Sequence, residues 1–429
     1  MTETAAPVRR IGRFPVALFP VLGGRFFTHL AFGPLQTLLI IRLTETGFSV
    51  QMAAWVRSLS TAGLILGSFF CFRLINRLGH ARAYAIFAWT VGVGAILYAV
   101  LPPPWTWFAI ALGVGSASFG ITVTVESWLQ ALSTNDIRGR VMSLYMVIGG
   151  LAGSVGMVAI DLFDSTTIWP FVFFASLIAI SPIPVLRARA MAPKVERPRA
   201  MPLRDLIRVS PLGVAGTMIS GVIGGAQFGL AAVFALQQEN LIVGAGSFVA
   251  AMMVGQFLAQ YPVGGLSDLF DRRKVLLGIY LCAGLAALGL VAANAWIGGV
   301  SVLVMTAVLG GATGVAYPQA TAYVNDHLDD DQRVSANSGL MLAFSIGAFT
   351  GPLPAAYVMD WIGPEGLYYY VAAMAFAAAS FTLYRMSRRP SPQSQVFDPA
   401  AARVTPSLNA IPPTVVRRAG GDADGGGPG

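Results

Sequence analysis

Twelve stretches of this chain are apolar over lengths that only a membrane-spanning segment requires, and together they account for most of its residues. They lie near 14–42, 51–75, 83–101, 105–132, 139–160, 167–186, 210–236, 244–266, 275–293, 297–323, 335–359 and 364–385. About 20 residues at 1.5 Å each cross the hydrocarbon core of a bilayer, so each stretch is expected to span it as a helix. None alternates polar and apolar residues with period two, which argues against the strands of a membrane barrel. Composition agrees. Hydrophobic residues make up 55% of the chain and charged residues 11%, whereas soluble chains carry about 25% charged residues and would leave much of this apolar surface unburied. The expected fold is all-α, with twelve transmembrane helices. The first stretch is too long for a cleaved leader, carries Arg25 in its middle and lacks a small-residue cleavage site, so it is expected to stay as the first helix.

Charge placement sets the expected topology. With the N-terminus taken as cytoplasmic, 25 of the 28 lysines and arginines fall on the cytoplasmic side, and Arg25, Arg42 and Arg57 are the exceptions. Outer loops carry Glu45, Asp161, Asp164, Glu239, Asp360 and Glu365 instead. The net charge of +8 therefore reports orientation, and nucleic acid is not needed as a partner to explain it.

Residues 187–209 are rich in Arg and Pro and read as a linker between two halves. Repetition across it supports the division. "LGGRFFTHLAFGPLQ" (22–36) laid on "IGGAQFGLAAVFALQ" (223–237) matches Gly23 with Gly224, Gly24 with Gly225, Phe27 with Phe228 and Gln36 with Gln237. Further along, Gly63 matches Gly255, and Arg138, Ser143 and Gly156 match Arg333, Ser338 and Gly351. The expected organisation is a cytoplasmic segment at 1–13, a six-helix bundle at 14–186, the cytoplasmic linker at 187–209, a second six-helix bundle at 210–386 and a disordered cytoplasmic tail at 387–429.

The stretch "YPVGGLSDLFDRRKV" (261–275) concentrates charge in an otherwise apolar chain. It resembles the signature loop of the major facilitator superfamily: Gly264, Leu266, Asp268, Arg272 and Arg273 fit, while Leu269 stands for the usual Arg and Asp271 for the usual Gly. The loop near 72–82 is similar to a degraded copy, keeping Leu74, Arg77, Gly79 and Arg82 but carrying Phe72 and Asn76 where the signature has Gly and Asp. "ESWLQALSTNDIRGRVMSLYM" (126–146), "YPQATAYVND" and "GAFTGP" resemble the YcaD-like bacterial branch. The resemblance covers about residues 14–386. It implies two pseudo-symmetric six-helix bundles with both termini cytoplasmic, in the inner (plasma) membrane, working as a monomer and as a secondary transporter by alternating access. It also implies a cytoplasmic gate in which Asp268, with Arg272, Arg273, Arg77, Arg138 and Arg140 nearby, meets the start of the fifth span. A carboxylate at a helix N-terminus gains about 0.3–1 kcal/mol, more when partly buried. Plain topology-setting charge is the competing reading of Arg272, Arg273 and Lys274.

Ionisable residues inside the spans are the candidates for chemistry. Arg25 lies near the middle of the first span, with His29 one turn on. Arg57 lies in the outer third of the second span and Glu126 toward the cytoplasmic end of the fourth. An arginine at the bilayer centre costs about 2.5–3.5 kcal/mol on insertion scales, so Arg25 needs a partner or an aqueous cavity. Two readings stand side by side. Arg25, with His29 and Arg57, binds an anionic group of a solute, or it serves as a structural ion-pair partner. Glu126 lines the site or pairs with Arg138 or Arg140. His29 is a proton site, since imidazole titrates near pH 6.5, or a hydrogen-bonded interior residue. Gln227 and Gln256, and secondarily Gln260 and Gln319, either line the cavity or bond between helices. Gly-x-x-x-Gly pairs such as Gly149 with Gly153 read as helix-packing devices.

Other chemistries lack their residues. There is no phosphate-cradling Gly-x-x-x-x-Gly-Lys-Ser/Thr loop, no metal-ligand spacing among three histidines and two cysteines, and "DHLDDD" (326–331) lacks the glycine and distal glutamate of a calcium loop. No cofactor and no enzymatic activity are expected. Ser154 follows Gly153 where drug/proton antiporters of the superfamily usually carry Gly-Pro, which makes proton-coupled drug efflux the weaker alternative. The expected function is movement of a small anionic or zwitterionic solute, with protons as the candidate coupling ion and the lipid bilayer as the extended partner. The alternatives are efflux of hydrophobic compounds and a non-transporting sensor or assembly protein on the same fold.

Overall fold

A computed structural model describes residues 16–102, 105–134, 137–187, 200–238 and 241–388. The expected segment 1–13, residues 188–199 of the linker and the tail from 389 onward lie outside the described residues.

The helices follow the apolar stretches. α1 (Leu18–Glu45), α2 (Val50–Leu78), α3 (His80–Val100), α4 (Trp105–Leu132) and α5 (Arg138–Ile160) are continuous. α6 (Trp169–Ile180) and α7 (Pro182–Leu186) form one apolar stretch interrupted at Pro182. Proline there withholds a donor from the carbonyl of Ile178, and the Ser181 hydroxyl donates to that carbonyl instead, at 2.7 Å. After α8 (Leu203–Val209) come α9 (Pro211–Leu236), α10 (Ala245–Leu269), α11 (Arg272–Trp296) and α12 (Val300–Asn325). α13 (Asp330–Thr350) and α14 (Pro352–Ile362) form a second stretch interrupted at proline, and α15 (Gly366–Arg388) closes the described chain. Among the described residues, eleven helical stretches are long and apolar enough to cross a membrane. The remaining expected span coincides with α10, which is not among these eleven.

The linker is not wholly irregular. α8 carries Leu203, Leu206 and Ile207 at helical spacing, Leu206 is buried, and the Met201 N–H donates to the Ser335 carbonyl at 2.9 Å. These contacts dock the end of the linker beneath α13.

Glycines set how closely the rods approach. A Cβ on Gly115 of α4 would lie 1.9 Å from the Ser60 carbonyl oxygen of α2, and one on Gly255 of α10 would lie 1.8 Å from the Ala307 carbonyl of α12. Likewise, a Cβ on Gly156 of α5 would meet the Leu30 carbonyl of α1 at 2.0 Å, and one on Gly351 would meet the Val222 carbonyl of α9 at 2.1 Å. Gly63 and Gly255, matched in the sequence repeat, thus both face the helix two positions on, and Gly156 and Gly351 both face the first helix of their own half. Between the halves, α1 packs on α9, α2 on α13 and α14, and α5 on α10.

Gly115→Ala should therefore force α2 and α4 apart, at a cost of about 1–3 kcal/mol. Gly113→Ala on the same helix, where a Cβ meets nothing within 4 Å, should leave the protein unchanged or slightly stabilised. The thermal midpoints of the two variants in detergent check the contrast.

Candidate functional site

Arg25 is 7% exposed, deep within α1. Its guanidinium carbon lies 4.0 Å from the centroid of the Tyr145 ring on α5. One turn on from Tyr145, Gly149 makes room for the cluster: a Cβ there would lie 2.9 Å from Nη2 of Arg25 and 3.1 Å from Cδ2 of His29. The same face of α5 continues with Gly153 and Gly156, so the small residues that admit α1 also admit its charged side chain. The Tyr145 hydroxyl donates to Oε1 of Glu126 on α4 at 2.9 Å. Arg25, Tyr145 and Glu126 thus form a chain across three helices.

The chain leaves Arg25 incompletely satisfied. Glu126 contributes to the field at Arg25, yet no carboxylate among the described residues lies within 4.0 Å of the guanidinium. Nε of Arg25 and Nδ1 of His29 are buried without hydrogen-bond partners. A desolvated cation over an aromatic ring gains about 2 kcal/mol, whereas an unmet buried donor costs about 1–3 kcal/mol. Stacking occupies the face of the guanidinium, and among the described residues its Nε meets no acceptor.

The other expected residues are placed separately. The stem of Arg57 lies against α9, with Cγ 3.0 Å from where a Cβ on Gly229 would sit, and its Nε is buried without a partner. Gln227 is 1% exposed with Nε2 unpartnered, and Gln319 is buried with Oε1 unpartnered. Gln256 lies across Gly314 of α12.

At the expected gate, Asp268 is exposed, and among the described residues its one polar contact is Arg272 at 3.8 Å. Arg272 donates from Nε to Asp326 at 2.7 Å, tying the α10–α11 turn to the end of α12, and Arg273 pairs with Asp271 at 2.9 Å. Arg77, Arg138 and Arg140 are exposed. In this conformation Asp268 does not reach the start of α5.

The opposite end of the α5–α10 contact is closed. Asp161, at the C-terminus of α5, accepts from the backbone N–H groups of Gly246 at 2.8 Å and Ser247 at 2.7 Å, capping the first turn of α10. A Cβ on Gly246 would lie 2.1 Å from the Met157 carbonyl, so the two backbones touch there. Tyr145 and Asp161 are the contributors that the sequence reading passed over.

Tyr145→Phe keeps the ring beneath Arg25 and removes the bond to Glu126, which should cost about 0.5–1.5 kcal/mol. Tyr145→Leu removes both and should cost more. Thermal midpoints ranked wild type, Tyr145→Phe, Tyr145→Leu would bear this out, and equal midpoints would refute it.

Comparison with known proteins bears on the family and the fold. The model of the Major Facilitator Superfamily matches residues 21–241 and 217–418. An MFS-type transporter of Enterobacter sp. (strain 638) is 28% identical over 384 residues, covering 88% of this chain and 97% of its own length. The MFS-type transporter YcaD of Salmonella typhi is 24% identical over 384 residues, covering 89% and 98%. Among solved structures, the nucleoside transporter NupG superposes with a TM-score of 0.73 at 13% identity, covering 87% of this chain and 100% of its own. A bacterial homolog of the human lysosomal transporter Spinster, in an inward-facing and occupied conformation, gives 0.71 at 13% identity, covering 89% and 100%. These structural likenesses show the fold, and the family match shows the lineage: the chain belongs to the major facilitator superfamily.

Proposed function

We propose that this protein is a secondary active transporter that moves a small anionic or zwitterionic solute by alternating access, with the proton as its coupling ion. The observation that carries the reading is Arg25, a buried guanidinium stacked on Tyr145 with no carboxylate of the described chain within 4.0 Å. A solute carboxylate or phosphate meeting its edge donors would supply the missing charge. His29 and Glu126, at either side of Arg25, are the titratable groups to which the reading assigns the coupled proton. Unpartnered polar atoms on Arg57, Gln227 and Gln319 mark further positions for contact with solute or water.

The proposed topology has twelve spans, with α10 as the twelfth, two bundles at 14–186 and 210–386, and both termini cytoplasmic in the inner membrane, working as a monomer. Under that topology, the Asp161 cap closes the outer end, and Asp268, free of α5, leaves the inner end open. Exchange of one carboxylate–helix contact for the other is the proposed switch. A contact worth about 2 kcal/mol biases the two states about thirty-fold.

Flux into proteoliposomes tests the reading. Across a panel of organic anions and amino acids with and without a pH gradient, at least one solute should accumulate. Arg25→Gln should abolish that flux, and Arg25→Lys should retain part of it. Arg42→Gln, at the outer end where Arg42 donates to the Ser165 carbonyl at 3.1 Å, should leave it intact. Undiminished flux through Arg25→Gln would end the anion-site reading.

A further inference from the structure

α12 packs against both α10 and α11, which scarcely touch one another, and this leaves a groove of about 670 Å³ floored by α12. Its walls are apolar, with Leu258 and Leu266 on α10 and Phe270 just beyond it, and Ile279 on α11; Cys282 and Lys274 also line it. Gly278 keeps the middle open: a Cβ there would meet nothing within 4 Å. Leu258, Leu266 and Phe270 are exposed, and no residue of the described chain covers them.

The cations at this end are not equivalent. Arg272 is held by Asp268 and Asp326, and Arg273 by Asp271. Lys274 is exposed, and among the described residues no carboxylate lies within 4.0 Å of it. An uncommitted lysine therefore lines the groove at the N-terminal end of α11. On α10 the groove runs from Leu266 to Gly255, about 16 Å at 1.5 Å per residue, the depth of one leaflet.

We propose that this groove is a specific site for one anionic phospholipid, with the acyl chain lying between α10 and α11 and the headgroup phosphate on Lys274. A lysine at an anionic membrane surface favours the anionic lipid about fivefold, which sets the expected preference. The apolar shape of the groove holds the chain, and Lys274 chooses the headgroup. This site depends on placement of the protein in a bilayer and not on the transport reading, so loss or survival of flux in Arg25→Gln leaves it untouched.

The full chain, purified with equimolar phosphatidylglycerol and phosphatidylethanolamine, is examined for retained lipid by native mass spectrometry. Wild type should hold phosphatidylglycerol about fivefold over phosphatidylethanolamine. Lys274→Gln should hold both equally, and Gly278→Leu, which fills the groove, should hold neither. A second measurement needs no substitution: Cys71 is buried and Cys282 is exposed and lines the groove, so a bound lipid should slow alkylation of Cys282. Phosphatidylglycerol should slow it more strongly than phosphatidylethanolamine. Equal protection by the two lipids, or a headgroup preference surviving in Lys274→Gln, would overturn the proposal. So would disulfide crosslinking of Cys282 between two copies in membranes, which would assign the groove to a second chain.

Discussion

A guanidinium held inside an apolar bundle, with no carboxylate of the described residues within 4.0 Å, is the constraint around which the rest of this molecule is arranged. Arg25 costs free energy at that depth, and the helices around it are built to reduce that cost without removing it. Tyr145 supplies an aromatic face, Gly149 supplies space, and Glu126 supplies a negative charge that reaches Arg25 through the tyrosine and not by direct contact. A buried salt bridge would have satisfied the arginine more fully, and a satisfied arginine has no affinity left for a ligand. The incomplete arrangement suits binding.

The two ends of the α5–α10 contact extend that logic to motion. At one end, Asp161 meets two backbone donors of the opposing helix, and the backbones lie in contact at Gly246. At the other, Asp268 stays within its own turn, paired with Arg272, and Arg272 is drawn toward Asp326. Carboxylate-to-helix contacts are modest, and that modesty matters. In the proposed switch, a cap of about 2 kcal/mol or less is exchanged for a similar one, whereas a strong lock would trap one state.

Much of this was legible in the sequence, and the parts that were not share a cause. The spans were readable because lipid admits helices and little else, so an apolar stretch of sufficient length leaves few choices. Arg25 stood out because a charge inside such a stretch needs a partner or an aqueous cavity. Tyr145 did not, since a tyrosine within an apolar helix reads as packing until the arginine above it is seen. Asp161 looked like an acid at the end of a span; its partners are backbone N–H groups, which leave no mark on a sequence. α8 was hidden by the arginines and prolines around three helically spaced apolar residues. Arg57 read as a cation in the outer third of its span, and its stem lies against Gly229, a neighbour that only the packing of α2 on α9 discloses.

Ligand-induced stabilisation tests the proposed role of Arg25 most directly. Thermal unfolding of purified wild type should respond to an organic anion or zwitterion, by about 2.7 kcal/mol at a hundred times its dissociation constant, and Arg25→Gln should show no response to the same solute. Equal stabilisation of both proteins, or stabilisation of wild type by cationic and uncharged solutes alone, would contradict it.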